Sequence, residues 1–218
     1  MPADVIALSV QVGSGGYAVA HHVADRLGFR YYDWEITTEA ASRAGVSPSD
    51  VIAAERVPGF LERMMVRLGA VSAMNVEGSA GFADPSPAVW NTALQSLTSD
   101  DYRQVIERVV VELAERGSAV IVGHAGQHIL RDRPGVLKVL VYGSEKERTE
   151  RLAGEQAIDF TKAQAMLKQS DKDRRDLLKR LYHFDWLDST MYDLTLNTDH
   201  LSVDFATETV VAAAAEMP

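Results

Sequence analysis

A glycine-rich turn between a strand and a helix constrains this chain more than any other feature. The apolar run over 5–10 predicts a buried strand, and the pattern over 17–27 repeats its apolar residues every three or four positions, as a helix does. Glycines let main-chain N–H groups surround an anion, and a helix N-terminus adds a favourable dipole. The turn between them therefore predicts a phosphate site formed by Gly13, Ser14, Gly15, Gly16 and Tyr17.

This turn departs from the P-loop pattern, G-x-x-x-x-G-K-[ST]. With Gly15 as the second glycine, Val10 stands where the first glycine belongs. Gly16 then takes the lysine position and Tyr17 the Ser/Thr position. The lysine normally reaches the β- and γ-phosphates and the hydroxyl holds Mg²⁺, so the turn keeps the cradle and lacks both groups. A tight turn that binds nothing is the alternative interpretation.

Composition indicates one α/β domain spanning 1–218. The chain is 46% hydrophobic and 24% charged, which is typical of a globular protein of this length. A net charge of -9 argues against nucleic acid or an anionic membrane as the partner. Cysteine is absent, which excludes disulfides and fits a cytoplasmic protein. We expect no signal peptide, and no apolar run approaches the roughly 18 residues of a membrane span.

Periodicity predicts strands that alternate with helices. The strands are expected at 5–10, 29–33, 118–122, 136–142 and 192–197. The helices are expected at 17–27, 34–44, 58–73, 99–116, 127–131, 145–153, 159–181 and 203–216. Such alternation predicts a five-stranded parallel sheet with helices on both faces, an α/β fold. Because parallel strands end at one edge, Asp33, His124 and Gly143 should lie near the glycine turn.

The middle of the chain carries weaker signals. Ser47 and Pro48 have the spacing of a helix start. The segment 75–87 is rich in small residues, and either a mobile loop or an ordinary surface connection fits it. Met64 and Met65, like the alanine-rich last helix, suit an interface or the core, which leaves a homodimer open.

The charged candidates each have a second interpretation. Arg174 and Arg175 lie on a polar helix and could be either anion ligands or part of a solvated face. Arg148 and Arg151 could instead pair with glutamates of their own helix. Asp33 could contact a ligand or cap the next helix.

The aromatic and histidine candidates are equally open. His124 could contact phosphate or pack at its turn, and phosphate is favoured. Tyr182 and Trp186 could stack on a base, although packing against the core is the more common role of such residues. No His, Asp and Glu set has metal-ligand spacing, and no catalytic triad can be assembled, so hydrolase chemistry has little support.

Over nearly its whole length the sequence resembles the cytidylate kinase-like branch of the nucleoside monophosphate kinases. The N-terminal resemblance covers 12–16, 26–29, 31–33, 120–123 and 129–130. The more specific part is C-terminal, where such residues have no reason to occur together in a generic α/β protein: 171–175, Tyr182, Asp185, Trp186, Asp188, 192–194, Asn197 and Thr198.

The resemblance implies a P-loop core with a helical insert over the acceptor, about 34–98, and a lid over the donor, about 155–185. It implies that ATP and Mg²⁺ are used and that the partner is a small nucleotide. By position, 13–17 would hold the donor phosphates, with His124 as a further phosphate contact. Arg174 and Arg175 would belong to the lid, and Arg148 and Arg151 to the helix that leads into it. Asp33 would face the acceptor or a metal-bound water.

Three departures from that family bear on activity. Tyr17 and His124 stand where this branch often has arginine, and Gly16 stands at the lysine position. Losing one good donor can cost roughly 10²–10³ in rate. The prediction is therefore phosphoryl transfer from ATP to a nucleoside monophosphate such as CMP. The alternative is a catalytically impaired nucleotide-binding protein with a regulatory or oligomeric role.

Overall fold

The computed structural model describes residues 2–44 and 99–217. The strands are β1 (Val5–Val10), β2 (Arg30–Tyr32), β3 (Ala119–Val122), β4 (Val136–Tyr142) and β5 (Leu194–Asn197). The helices are α1 (Gly16–Leu27), α2 (Trp34–Ala44), α3 (Ser99–Glu115), α4 (Gly126–Ile129), α5 (Glu145–Gln156), α6 (Phe160–Tyr182) and α7 (Val203–Ala215), with a 3₁₀ turn at Ser189–Met191. Predictions for Ser47, Pro48, Met64, Met65, 58–73 and 75–87 lie outside the described residues.

The five strands form one parallel sheet in the order β2-β3-β1-β4-β5. Residue Val5 of β1 pairs with Ala119 on one side and Val136 on the other. The predicted parallel α/β sheet is therefore confirmed. Both β1 and β3 have neighbours on each side, which explains their continuous apolar sequences.

Alternate residues of β1 face different halves of the core. Ile6, Leu8 and Val10 pack with buried residues of α1 and α7, whereas Val5 and Ala7 pack with those of α2 and α3. Helices thus cover both faces, as predicted. No helix in the described part of the chain combines the length and the apolar character needed to cross a membrane.

Most element boundaries follow local signals. Gly28 ends α1 in the left-handed conformation with φ 66°, the role its position predicted. Ser202 caps α7, since its side chain accepts from the Phe205 N–H. β5 begins two residues later than predicted, because Tyr192 closes the preceding 3₁₀ turn.

The start of α1 is packed too tightly for any side chain at position 16. A Cβ built on Gly16 would lie 2.7 Å from Val10 Cγ1 and 3.0 Å from Val141 Cβ. The Val10 and Val141 side chains belong to the buried core between β1, β4 and α1. The absence of lysine at position 16 is thus coupled to the presence of valine at position 10.

We predict that Gly16→Ala destabilises the protein by about 1–3 kcal/mol, the usual cost of overpacking a core. Gly154, exposed in α5 with no atom near its would-be Cβ, is the matched control. Gly154→Ala should gain about 0.5–1 kcal/mol because alanine is the better helix former. Urea unfolding of both variants measures this difference. Equal stability of the two variants would contradict the packing argument.

Candidate functional site

The glycine turn at the carboxyl end of β1 has the conformation its glycines permit. Gly13 and Gly15 have φ 76° and 74°, in the left-handed region. A Cβ on Gly13 would lie 2.5 Å from the main-chain oxygen of Arg148, so α5 approaches the turn closely. The Ser14 hydroxyl accepts from the Gly16 N–H at 3.2 Å. Two glycines are therefore required by backbone angle and one of them also by contact with α5.

Donors from distant parts of the chain bind the carbonyl oxygens of this turn. Arg148 Nη1 donates to Val12 O at 3.2 Å, and Arg151 Nη1 donates to Gly13 O at 3.4 Å. Thr198 Oγ1 donates to Ser14 O at 2.8 Å. Because the N–H and C=O of one peptide point in opposite directions, the Gly13 and Gly15 N–H groups point away from the donors that bind Val12 O and Ser14 O.

The N–H groups of the turn have few internal partners. Ser14 N–H donates to Gln11 O and Gly16 N–H to Ser14 Oγ. Among residues 2–44 and 99–217, no atom accepts from the N–H groups of Val12, Gly13, Gly15 or Tyr17. Converging free N–H donors at a helix N-terminus form an anion cradle.

Arg148 is a buried connection between α5, the turn and α6. It is 4% exposed and pairs with Asp171 of α6 through two contacts, of 2.7 and 3.2 Å. Its Nε also donates to Gly143 O at 3.1 Å. The bidentate geometry suits a guanidinium and not an ammonium.

Arg151 lies beside Arg148 and binds the same side of the turn. Besides Gly13 O, its guanidinium donates to the hydroxyl and the carbonyl oxygen of Thr198. Arg151 therefore connects the turn to the segment that follows β5. The alternative raised for Arg148 and Arg151 was pairing with glutamates of their own helix. Their guanidinium groups instead bind main-chain carbonyls, Asp171 and Thr198.

Arg174 reaches the turn from α6. Its Nη1 donates to Val10 O, and its guanidinium lies near the hydroxyl of Tyr17. The Cζ atom lies 4.8 Å from the centre of the Trp186 ring. Arg175, the next residue, is exposed and makes no hydrogen bond with the described residues.

Asp33 lies between β2 and α2, where the strand end was expected to place it. It is half-buried, and Tyr31 Oη donates to its Oδ2 at 3.4 Å. Burial raises the pKa of Asp33, while His124 and Arg174 nearby act in the opposite direction. The site thus holds one carboxylate close to the cationic Arg174.

His124 connects β3 to the end of β2. Its Nε2 lies 3.1 Å from the carbonyl oxygen of Asp33, so that nitrogen carries the proton and donates. Its backbone has φ 50°, which is uncommon outside glycine. The structure therefore brings His124, Asp33, Arg174 and the turn to one edge of the sheet, as the strand order required.

Tyr182 and Trp186 pack against other side chains, which is the more common role of such aromatic residues. Trp186 is 1% exposed in a cluster with Leu140, Leu178 and Tyr192. Tyr182 is half-buried and its ring lies 5.1 Å from that of His128.

Two contributors were not singled out from the residues alone. Thr198 and Asp171 appeared only within the stretches that carry the family resemblance. Thr198 follows β5 at the sheet edge where ligand-binding segments gather, and that position is the signal that could have found it. Asp171 precedes Arg174 by one helical turn, but nothing local indicates a partner on α5.

The residues present fit a polyphosphate with a divalent cation. The free N–H groups of the turn suit phosphate oxygens. Mg²⁺ is commonly held by one or two carboxylates together with substrate phosphates, and Asp33 is the carboxylate in place. In the described part of the chain, no group of three or more His, Asp or Glu could hold a metal ion by itself.

Comparison with known proteins agrees with this geometry. The cytidylate kinase-like family matches residues 5–200, and the chain therefore belongs to the cytidylate kinase-like family. The parallel α/β sheet and the glycine turn after β1 agree with this membership.

Curated relatives share part of the chain. A cytidylate kinase of Aeropyrum pernix is 32% identical over 99 residues, which cover 45% of this chain and 57% of the relative. A cytidylate kinase of Methanopyrus kandleri is 29% identical over 107 residues, covering 45% and 55%. The chain thus spans somewhat over half the length of the curated relatives it matches.

Solved structures resemble the fold. A protein of Eubacterium ventriosum superposes with a TM-score of 0.66 at 20% identity, over 97% of this chain and 98% of the other. The shikimate kinase of Acinetobacter baumannii in complex with shikimate has a TM-score of 0.47 at 16% identity, over 100% and 96% of the two chains.

We predict that Arg148→Met destabilises the protein by about 3–5 kcal/mol, because it leaves the Asp171 carboxylate without its buried partner. Lys146→Met on the same helix is the control, since Lys146 is 72% exposed and its surface ion pairs contribute little. Chemical denaturation of both variants measures the effect. A similar small loss for both would show that the buried pair does not hold the turn.

We predict that Asp33→Asn stabilises the protein at neutral pH. The pKa of Asp33 is raised on folding, so its stabilising contribution is complete below the ordinary aspartate pKa of about 3.9 and is lost as the pH rises through the folded value. The variant should gain at pH 7, and the gain should shrink as the pH falls toward 4. Urea unfolding between these pH values, with exposed Asp25→Asn as control, measures it. A variant less stable than the parent at pH 7 would contradict the assignment.

Proposed function

We propose that this protein transfers a phosphoryl group from ATP to a nucleoside monophosphate, with CMP as the first candidate acceptor. The observation that carries the proposal is the hydrogen bonding of the glycine turn. Its carbonyl oxygens accept from Arg148, Arg151 and Thr198, and the N–H groups of Gly13, Gly15 and Tyr17 remain available for phosphate oxygens. The similarity to cytidylate kinases supports CMP as the acceptor. A cytoplasmic location and a homodimer remain predictions.

Each predicted site residue then takes a role that its contacts allow. The N–H groups of Gly13, Gly15 and Tyr17 bind the donor phosphates. Arg148 and Arg151 act as positioning residues, since their guanidinium groups bind main-chain carbonyls of the turn. His124 positions the end of β2 through the Asp33 carbonyl.

Arg175 and Asp33 act at the transferring group. Arg175 is an exposed residue of α6 that follows Arg174, and its role is to stabilise the charge that develops on the transferring phosphoryl group. The Asp33 carboxylate is placed to orient the acceptor or a metal-bound water. Bound Mg²⁺ would supply neutralisation of the phosphate charge.

A second function has a specific observation in its favour. A lysine at position 16 would clash with Val10 and Val141, and the His124 Nε2–H already donates to the Asp33 carbonyl. Positions 16 and 124 are where cationic side chains that bind phosphate are expected, and Gly16 and His124 have structural roles there instead. A nucleotide-binding protein with little or no transfer activity is the function that these replacements favour.

Two measurements on one protein preparation distinguish the kinase from the non-catalytic nucleotide-binding protein. ADP release from ATP and Mg²⁺ is measured with CMP, UMP, AMP and GMP as acceptors, and ATP affinity is measured by calorimetry. Acceptor-dependent ADP release supports the kinase. Saturable ATP binding without release for any acceptor supports the non-catalytic binder, and absence of binding overturns both.

For the kinase we predict that Arg175→Ala lowers kcat by about 10²–10³ while ATP affinity changes little, because the group acts on charge that develops in transfer. Lys172→Ala on the same helix removes the same charge at an exposed position and is the control. Equal losses for Lys172→Ala and Arg175→Ala would mean that net charge alone governs the rate.

A further inference from the structure

The glycine turn lacks a cation of its own. The lysine of a P-loop reaches the β- and γ-phosphates, and Gly16 stands in its place. A side chain at position 16 would clash with Val10 and Val141. A polyphosphate held by N–H groups and Mg²⁺ would keep part of its negative charge, so a cationic side chain beside the turn would strengthen its binding.

Arg174 is the cation that the fold brings to this position. Its guanidinium donates to the carbonyl of Val10, the residue at the first-glycine position of the turn. The guanidinium also lies near the hydroxyl of Tyr17, the residue at the Ser/Thr position. Because a guanidinium has five N–H donors, these contacts leave donors for a further anion.

Two aromatic residues fix the guanidinium there. The Trp186 ring lies 4.8 Å from Arg174 Cζ, and Trp186 is itself 1% exposed. Tyr192 Oη donates to the Trp186 carbonyl at 2.6 Å, which holds the ring's segment in place. Tyr17 approaches the same guanidinium from α1. Arg174 is thus held between residues of α1 and of the segment after α6.

We propose that Tyr17 and Trp186 are positioning residues that hold Arg174 as the fixed cation of the glycine turn, in place of the lysine that Gly16 excludes. This inference rests on the proposed function in placing a triphosphate at the turn. It distinguishes two adjacent arginines: Arg174 contributes to binding the donor before transfer, whereas Arg175 contributes to the transfer step.

The test measures binding and not turnover. Calorimetry with inorganic tripolyphosphate and with ATP is carried out on the full chain. Arg174→Ala should weaken both ligands about 10–100-fold, the loss expected for a charge-assisted contact. Lys172→Ala, which removes an exposed charge on the same helix, should stay within about twofold of the parent. Equal effects of the two variants would overturn the proposal.

The Tyr17→Phe variant, which lacks only the hydroxyl oxygen, tests whether Tyr17 positions Arg174. In the parent it should weaken tripolyphosphate about three- to tenfold. In the Arg174→Ala background it should have no further effect, because Tyr17 acts through Arg174. The same loss in both backgrounds would show that Tyr17 acts independently and would overturn its assignment.

Trp186 is tested by a pair of substitutions, since removal of a buried ring can disturb the fold. Trp186→Phe keeps an aromatic face and should weaken tripolyphosphate less than Trp186→Leu. Guanidinium chloride at millimolar concentration should partly restore binding to Arg174→Ala, which a purely structural loss would not allow. Absence of rescue together with equal Phe and Leu variants would overturn the positioning role.

The outcomes separate this inference from the proposed function. If ligand binding depends on Arg174 but no acceptor stimulates ADP release, the inference is supported and the kinase function is contradicted. If an acceptor stimulates ADP release but ligand binding does not depend on Arg174, the inference is contradicted and the kinase function is supported. A parent protein that binds neither ligand removes both.

Discussion

The rest of the site depends on the hydrogen bonds that fix the carbonyl oxygens of the glycine turn. Arg148 binds Val12 O while its other edge pairs with Asp171, so a single buried guanidinium joins the turn, α5 and α6. Thr198 and Arg151 bind the next two carbonyls. Since a peptide's N–H and C=O point in opposite directions, fixing the carbonyls also fixes where the N–H groups point. A cradle ordered in this way requires no rearrangement when an anion arrives.

The departures from the P-loop pattern become connected once the packing is known. Valine at position 10 goes together with glycine at position 16, because the Val10 methyl groups occupy the space that a side chain at position 16 would need. The charge that is thereby lost from the turn is available from α6, where Arg174 contacts Val10 O. The unusual residues are therefore compatible with a phosphate site whose cation comes from elsewhere in the chain.

Sequence reasoning succeeded where the signals are local and failed where they are not. Apolar periodicity and glycine positions located β1, α1 and the strands that pair with them. The common edge at which parallel strands end then placed Asp33 and His124 near the turn. The partners of Arg148 and Arg174 could not be predicted, since the carbonyls they bind are 136 and 164 residues away. A polar helix such as α6 looks the same in sequence whether its arginines face water or a buried carbonyl.

The most direct test of the account is the amide resonance of the turn glycines. In protein labelled with ¹⁵N-glycine, saturating ATP with Mg²⁺ should move the Gly13 and Gly15 signals strongly downfield, because their N–H groups would donate to phosphate oxygens. Gly28, at the opposite end of α1 from the turn, should be unaffected. Unchanged Gly13 and Gly15 signals at saturation would contradict the claim that this turn is the phosphate site.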